Sequence, residues 1–123
     1  MTKTIKEFDE YQERATRLAE YPDVGSNFLY PTLGLAGEAG EFADKIKKLW
    51  RNRGVTNRAS LMSEDDRDTK YLELKQELGD IQWYIAAMCK ELGTTLSEIA
   101  TLNIDKLEDR KKRGAIKGEG DNR

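Results

Sequence analysis

The sequence predicts an all-α protein, arranged as a single four-helix bundle. Only two prolines occur, Pro22 and Pro31, and both lie in the first third of the chain. No segment sustains the alternation of polar and apolar residues that marks a half-buried strand, whereas apolar residues recur at helical spacing through most of the sequence. A length of 123 residues with no long linker favours one domain, which we place at residues 1–123.

The first two helices are predicted over residues 4–21 and 31–51. One apolar stripe marks the first helix, formed by Phe8, Tyr11, Ala15 and Leu18. The residues that end it are Pro22, Asp23 and Gly25. Pro31 suits the first turn of the second helix, where a missing amide proton costs nothing. The buried face of the second helix is marked by Leu35, Phe42, Ile46 and Leu49.

The third helix is predicted over residues 64–92, after a polar connector at 52–62. Ser63, followed by acidic residues, is typical of an N-cap because acidic side chains favour the first turn. Gly93 fits the position just after the helix, where a left-handed residue is common.

The fourth helix is predicted over residues 95–113 and opens with the capping-box pattern Thr95-Leu96-Ser97-Glu98. Gly114 ends it. The tail at residues 115–123 is rich in glycine and charge. We expect this tail to be mobile or to become ordered on a ligand.

Composition excludes several classes of protein. Mean hydropathy is −0.79 and charged residues make up 36% of the chain, and no apolar run approaches the ~20 residues of a spanning helix. We therefore expect no membrane partner, and the polar N-terminal residues favour a cytoplasmic protein. The net charge of −2 argues against a nucleic-acid polymer as partner.

The chain contains one cysteine and no histidine. Cys89 lies in an apolar run, and we interpret it as a packed core thiol rather than a nucleophile. Without histidine, Ser-His and Cys-His mechanisms are excluded, as are the Glu-x-x-His ligands of di-iron bundles. Any general base must be a carboxylate, a lysine, a tyrosine or a metal-bound water.

Two acidic motifs carry most of the functional information. Glu38 and Glu41 lie three residues apart in the second predicted helix, as do Glu77 and Asp80 in the third. On a helix each pair projects from nearly one face, and apolar residues flank both pairs. Converging carboxylates repel, by about 4 kcal/mol for two charges 4 Å apart at an effective dielectric of about 20.

Divalent cations relieve this repulsion without loss of the charges. All-oxygen ligands suit hard cations, so the pattern favours a site for Mg²⁺, with Mn²⁺ as a substitute. A solvated helix surface is the alternative, and it is strongest for Glu41, because Lys45 offers an ordinary i,i+4 partner. Gly37, Gly40 and Gly79 lie beside the carboxylates, and they allow either close helix packing or room for hydrated metal and substrate.

A cationic face is predicted on the fourth helix, where Asn103, Lys106 and Arg110 are spaced by three or four residues. Arginine grips phosphate with two donors and lysine acts as a point charge, so this face is a candidate phosphate site. Basic residues that complement the helix dipole are the alternative, and we prefer it for Arg113. Acidic metal ligands beside a cationic face form the arrangement that phosphoanhydride cleavage requires.

These motifs resemble those of the all-α nucleoside triphosphate pyrophosphohydrolases of the MazG-like superfamily, which includes dimeric dUTPases, dCTP pyrophosphatases and phosphoribosyl-ATP pyrophosphohydrolase. The resemblance covers about residues 27–113. It rests on Gly-Glu-Ala-Gly-Glu at 37–41, Glu-Leu-Gly-Asp at 77–80 and Asn103-x-x-Lys106-x-x-x-Arg110. One departure is Gly37, which stands where the family pattern often has a further glutamate.

The resemblance implies an enzyme that cleaves a (deoxy)nucleoside triphosphate to the monophosphate and pyrophosphate, by attack of a metal-activated water. The implied Mg²⁺ ligands are Glu38, Glu41, Glu77 and Asp80. The implied phosphate or sugar contacts are Asn103, Lys106 and Arg110. Helices of two subunits are implied to build each site, so we expect a homodimer or homotetramer.

Base recognition is predicted less directly. Tyr84 lies one turn after Asp80 and is the best aromatic candidate for stacking on a base, with a core or interface role as the alternative. Two other functions remain open at this point. One is hydrolysis of phosphoribosyl-ATP on the same scaffold, and the other is a non-enzymatic helical interaction module that packs its acidic pairs against a partner's basic residues.

Overall fold

The computed structural model describes residues 2–114, which form helices and no strand, so the all-α prediction is confirmed. The elements are α1 (Phe8–Thr16), α2 (Leu29–Arg53), α3 (Arg58–Met62), α4 (Arg67–Leu92) and α5 (Leu96–Lys112). Helix α4 is central and packs against the other four. Within this described part, no helix is long and apolar enough to cross a membrane. The prediction for the tail at 115–123 lies outside the described residues.

The two long helices end at glycines with a left-handed backbone. Gly54 has φ 67° after α2, and Gly93 has φ 74° after α4. Their amides donate hydrogen bonds to the carbonyls of Trp50 and Lys90. Glycine adopts this conformation at little cost, and the bonds satisfy carbonyls that the helix leaves open. The predicted end of the third helix at Gly93 is thus confirmed.

The short helix α3 lies inside the connector predicted over 52–62, and the prediction is wrong there. The side chain of Asn57 accepts a hydrogen bond from the Ser60 amide at 2.9 Å, and the Ser60 hydroxyl accepts one from the Asn57 amide at 3.1 Å. This reciprocal cap starts the helix. Ser63 ends α3 instead of capping α4, whose N-cap position is taken by Asp66.

Helix α1 is shorter than predicted, and only part of the predicted stripe is buried: Ala15 is buried and Tyr11 packs against a core cluster. Two of the predicted stripe positions are exposed, Phe8 and Leu18. Gln12 is also buried, and its amide group donates to the carbonyl of Thr94 at 3.0 Å and accepts from the amide of Leu96 at 2.7 Å. The buried amide is therefore satisfied, and it ties α1 to the start of α5.

The apolar core is divided between the two ends of α4. One cluster consists of Leu49, Val55, Leu61 and Leu74. The other consists of Ala86, Cys89 and Leu96. Burial raises the pKa of the Cys89 thiol, and the prediction of a packed core cysteine is confirmed. The stretch of α4 at residues 77–84 lies between these clusters, and it carries the acidic motif.

The loop between α1 and α2 is held by Glu91 of α4. The Glu91 carboxylate accepts hydrogen bonds from the Tyr21 hydroxyl and from the amides of Gly25 and Asn27, the last two at 2.7 and 2.9 Å. These bonds lower the pKa of Glu91, while burial and the neighbouring Glu91 raise the pKa of Tyr21 to about 12. The loop therefore enters α2 along a fixed path over α4.

Replacement of Glu91 with alanine is expected to lower the melting temperature by several degrees, because three donors lose a charged acceptor. Thermal unfolding of Glu91→Ala and of Glu20→Ala, an exposed control, measures the effect. Because folding lowers the pKa of Glu91, its stabilisation is complete above the ordinary glutamate pKa and is lost as pH falls through the lowered value. Equal melting temperatures of the two variants at neutral pH would contradict this role.

Candidate active site

Three of the four predicted carboxylates converge between α2 and α4. One oxygen atom from each of Glu38, Glu77 and Asp80 lies within 4.8 Å of the others. Glu38 and Glu77 are half-buried and Asp80 is exposed. Glu77 and Asp80 share a face of α4 because they are three residues apart, and Glu38 faces them from α2. We call these three residues the acidic cluster.

Glu41, the fourth predicted ligand, lies at the edge of the acidic cluster. It follows Glu38 by one turn of α2 and is exposed. Its negative charge is close enough to help raise the pKa of Glu38. Glu41 therefore extends the acidic cluster towards solvent.

The acidic cluster is electrostatically strained without a cation. Burial raises the pKa of Glu38 to about 7, helped by Glu41, Asp80 and Glu77 in that order. Within the described structure, the Oε2 atoms of Glu38 and Glu77 are buried and have no hydrogen-bond partner. Buried acceptors without donors are costly. An all-carboxylate donor set with two such oxygens fits a hard divalent cation.

Lys45 supplies the ion pair of the acidic cluster. Its Nζ atom lies 3.8 Å from Oε1 of Glu77, across the gap between α2 and α4. The sequence had offered Glu41 as the partner of Lys45, one turn away on the same helix. Among the ion pairs of the described residues, Lys45 pairs with Glu77 and not with Glu41. Glu41 is thereby left accessible beside Glu38.

A groove of about 690 Å³ opens beside the acidic cluster, between α2 and α4. Its basic lining residues are Lys45, Lys48, Arg53 and Lys70. Glu41, Glu77, Gly37 and Gly40 also line it. A Cβ atom added at Gly37 or Gly40 would meet nothing within 4 Å in the described structure, so these glycines provide room rather than close packing between its helices.

Tyr84 belongs to an aromatic group at the edge of the acidic cluster. Its ring centroid lies 5.1 Å from that of Trp83, edge to face, and 6.5 Å from that of Tyr30. Burial raises the pKa of Tyr84, and Tyr30 and Glu38 contribute further. The side chain is half-buried, so Tyr84 contributes in part to packing, which was the alternative role given to it from the sequence. The ring nevertheless stays within electrostatic reach of Glu38.

Gly34 is the place where side-chain packing between α2 and α4 requires glycine. An added Cβ atom there would overlap the ring of Tyr84. The sequence interpretation considered close packing only for the glycines beside the carboxylates and missed Gly34. The sequence positions could have indicated this contact, because Gly34 lies one turn before Glu38 and Tyr84 lies one turn after Asp80.

Alanine at positions 34 and 37 is expected to act in opposite directions. Gly34→Ala forces the Tyr84 ring to move and is expected to destabilise the fold by about 1–3 kcal/mol, the usual cost of overpacking. Gly37→Ala has open space around it and is expected to stabilise the helix by about 0.5–1 kcal/mol. Urea unfolding of both variants measures the difference. Two free energies of unfolding that change in the same direction would contradict the packing described here.

In the described structure, the predicted phosphate face of α5 does not lie at the acidic cluster. Asn103 and Lys106 are exposed, and among the described residues neither forms a hydrogen bond or an ion pair with the cluster. Arg110 is buried, with 6% of its surface exposed. Helix α5 packs on α1 and α4. The three residues are therefore not equivalent, although their spacing suggested one uniform face.

In the described residues, two long helices with a cluster of carboxylates between them define an all-helical protein whose acidic cluster could hold a cation. Comparison with protein families identifies the family to which the chain belongs. The model of the MazG nucleotide pyrophosphohydrolase domain matches residues 29–115, which include α2 to α5 and all four predicted ligands. The chain therefore belongs to the MazG nucleotide pyrophosphohydrolase family, a class of hydrolases.

A similar curated protein is the Gene 37 protein of Mycobacterium phage L5. It is 40% identical over 120 residues, which cover 94% of this chain and 97% of that protein. Its name states no activity. No solved structure matches the chain.

Proposed function

We propose that this protein hydrolyses a (deoxy)nucleoside triphosphate to the nucleoside monophosphate and pyrophosphate, with Mg²⁺ as cofactor and Mn²⁺ as a substitute. The acidic cluster carries the proposal. In the described structure one buried oxygen of Glu38 and one of Glu77, the Oε2 atom of each, has no hydrogen-bond donor, and a cation would satisfy both. Membership of a nucleotide pyrophosphohydrolase family supports the reaction class.

Glu38, Glu77 and Asp80 would hold the cation, and Glu41 would complete the ligand set from the groove side. When bound, Mg²⁺ would neutralise the negative charge of phosphate oxygens and lower the pKa of a water molecule near the reacting phosphorus. Because the pKa of Glu38 is raised to about 7, part of its population is protonated near neutral pH. That proton must leave the Glu38 carboxyl when the cation binds, so the affinity for the cation falls as pH drops below about 7.

The groove beside the acidic cluster is the proposed place of the nucleotide. Its volume of about 690 Å³ lies within the ~300–1,000 Å³ typical of ligand sites. Tyr84, at the edge of the acidic cluster, is the aromatic side chain that we propose to contact the nucleotide. Asn103 and Lys106 of α5 are the proposed phosphate or sugar contacts, while the buried Arg110 is better placed to hold the end of that helix.

Asn103 and Lys106 can reach an acidic cluster only if that cluster belongs to a second subunit. Large apolar side chains remain exposed at the start of α2 and along α5, including Leu29, Leu33, Leu102 and Ile104. A chain this small that exposes such residues gains stability by covering them. We therefore propose a homodimer or homotetramer in which α5 of one subunit brings Asn103 and Lys106 to the acidic cluster of its partner. Sedimentation analysis measures the oligomeric state, and a monomer at micromolar concentration would contradict it.

A nucleotide panel tests the proposed reaction. Canonical and modified ribo- and deoxyribonucleoside triphosphates, together with phosphoribosyl-ATP, would be assayed for pyrophosphate release with Mg²⁺ and with chelator. We expect Mg²⁺-dependent release from at least one triphosphate. The Asp80→Asn protein, prepared in the same way, controls for contaminating phosphatases. Absence of turnover for every nucleotide would contradict the proposal and favour a non-enzymatic interaction module.

A further inference from the structure

Lys45 holds a position that the proposed reaction does not yet explain. It lines the groove, and its ammonium lies 3.8 Å from Oε1 of Glu77 in the acidic cluster. Its side chain is 38% exposed and that of Glu77 is 15% exposed. The other groove lysines are paired outside the cluster, Lys48 with Asp44 and Lys70 with Glu73. Lys45 is thus the groove lysine that reaches a cluster carboxylate.

The charge of Lys45 has opposite effects in the two states of the acidic cluster. Without a cation, the ammonium offsets part of the repulsion among three carboxylates whose oxygens lie within 4.8 Å. With a divalent cation on the same carboxylates, the ammonium faces a like charge of twice its size. Repulsion from the cation then offsets most of the attraction between Lys45 and Glu77, and the flexible lysine stem lets the ammonium move away.

The groove determines where the displaced ammonium can go. The side chain of Lys45 rises from α2 beside Gly40, Glu41 and Glu77, all of which line the same groove. A nucleotide in this groove would present phosphate oxygens next to the cation. The lysine ammonium has three donors and no acceptor, so a phosphate oxygen is a suitable new partner.

From this geometry we infer that Lys45 exchanges partners during the catalytic cycle. It is the counter-ion of Glu77 in the cation-free protein, it competes with the divalent cation, and it contacts a phosphate oxygen of the nucleotide once the cation is bound. The last of these roles rests on the proposed function. The first two rest on the acidic cluster alone.

Mg²⁺ alone tests the counter-ion role. Thermal unfolding of wild type, Lys45→Met and Lys47→Met would be followed across a Mg²⁺ titration. Lys47 lies on the same helix and pairs with Asp44 at 3.2 Å, so its replacement changes the net charge equally without touching the acidic cluster. For Lys45→Met we expect a lower melting temperature without Mg²⁺ and a Mg²⁺ midpoint about three- to tenfold lower. A midpoint equal to that of Lys47→Met would overturn the counter-ion role.

Steady-state kinetics with the nucleotide that is cleaved test the phosphate contact. At saturating Mg²⁺, Lys45→Met is expected to raise KM about tenfold with a smaller change in kcat, as the loss of a charge-assisted hydrogen bond to bound substrate predicts. Lys45→Arg, which keeps the charge, is expected to recover most of the KM. An unchanged KM in Lys45→Met would overturn this contact. If no nucleotide is cleaved, the proposed function fails, while the Mg²⁺ midpoints still decide the counter-ion role.

Discussion

Replacing Asp80 with asparagine is expected to lower the rate of pyrophosphate release by about 100-fold or more, a loss at the upper end of that seen when groups around a metal site are altered. The substitution keeps the shape of the side chain and removes one of three clustered carboxylates. Asp80 is exposed, so the fold does not depend on its burial. Pyrophosphate release with saturating Mg²⁺, alongside the melting temperature without it, measures both effects.

Asp68→Asn is the matched control for this experiment. Asp68 lies in the first turn of the same helix, is exposed and is outside the acidic cluster. We expect wild-type rates from it. If Asp80→Asn retains full activity while remaining folded, the assignment of the acidic cluster as the catalytic centre is wrong.

Glu38→Gln is expected to raise the melting temperature of the cation-free protein by several degrees at pH 8 and to abolish most of its response to Mg²⁺. The reason is linkage between folding and protonation. Folding raises the pKa of Glu38 to about 7, so the folded state is penalised when the group is ionised. The penalty grows as pH rises from the ordinary glutamate value and is complete above about pH 7. Removing the charge removes the penalty, and it also removes a ligand.

The pH dependence of this difference provides an internal control. Below the ordinary glutamate pKa the wild-type side chain is protonated in both states, so wild type and Glu38→Gln should converge in melting temperature. Thermal unfolding from pH 3.5 to pH 8, with and without Mg²⁺, measures both curves. A wild-type protein that is more stable than Glu38→Gln at pH 8 without Mg²⁺ would contradict the electrostatic strain described for the acidic cluster.

The long helices could be predicted from the sequence because their determinants are local. Gly93 ends α4 where predicted, since a glycine after an apolar helix readily adopts the left-handed conformation. The smaller elements were harder to predict. The start of α3 depends on reciprocal bonds between Asn57 and Ser60, in a stretch without apolar periodicity. The buried face of α1 depends on Gln12, whose partners lie more than 80 residues away at the start of α5.

The candidate site also has one part that local sequence predicts and one part that it does not. The spacing of Glu77 and Asp80 indicates a shared face because three residues nearly complete a helical turn. Contacts across the gap between α2 and α4 have no such local signal. Lys45 lies one turn from Glu41 in the sequence, yet its ammonium reaches Glu77.

The position of the site along α4 also reflects packing that a single helix does not reveal. Apolar residues cluster at both ends of the helix, around Leu74 and Ala86, and the acidic stretch lies between them. Glu38 and Glu77 therefore lie half-buried in a part of the interface that apolar packing leaves open. This placement explains how two carboxylate oxygens become buried without a donor in the described structure.

Crystals of the protein with Mn²⁺ and a non-hydrolysable nucleoside triphosphate would test the central claim most directly, because anomalous scattering locates Mn²⁺ unambiguously. We predict an anomalous peak bonded to carboxylate oxygens of Glu38, Glu77 and Asp80, with the triphosphate in the groove between α2 and α4. A triphosphate bound elsewhere, or an acidic cluster without Mn²⁺ at saturating concentration, would contradict the account.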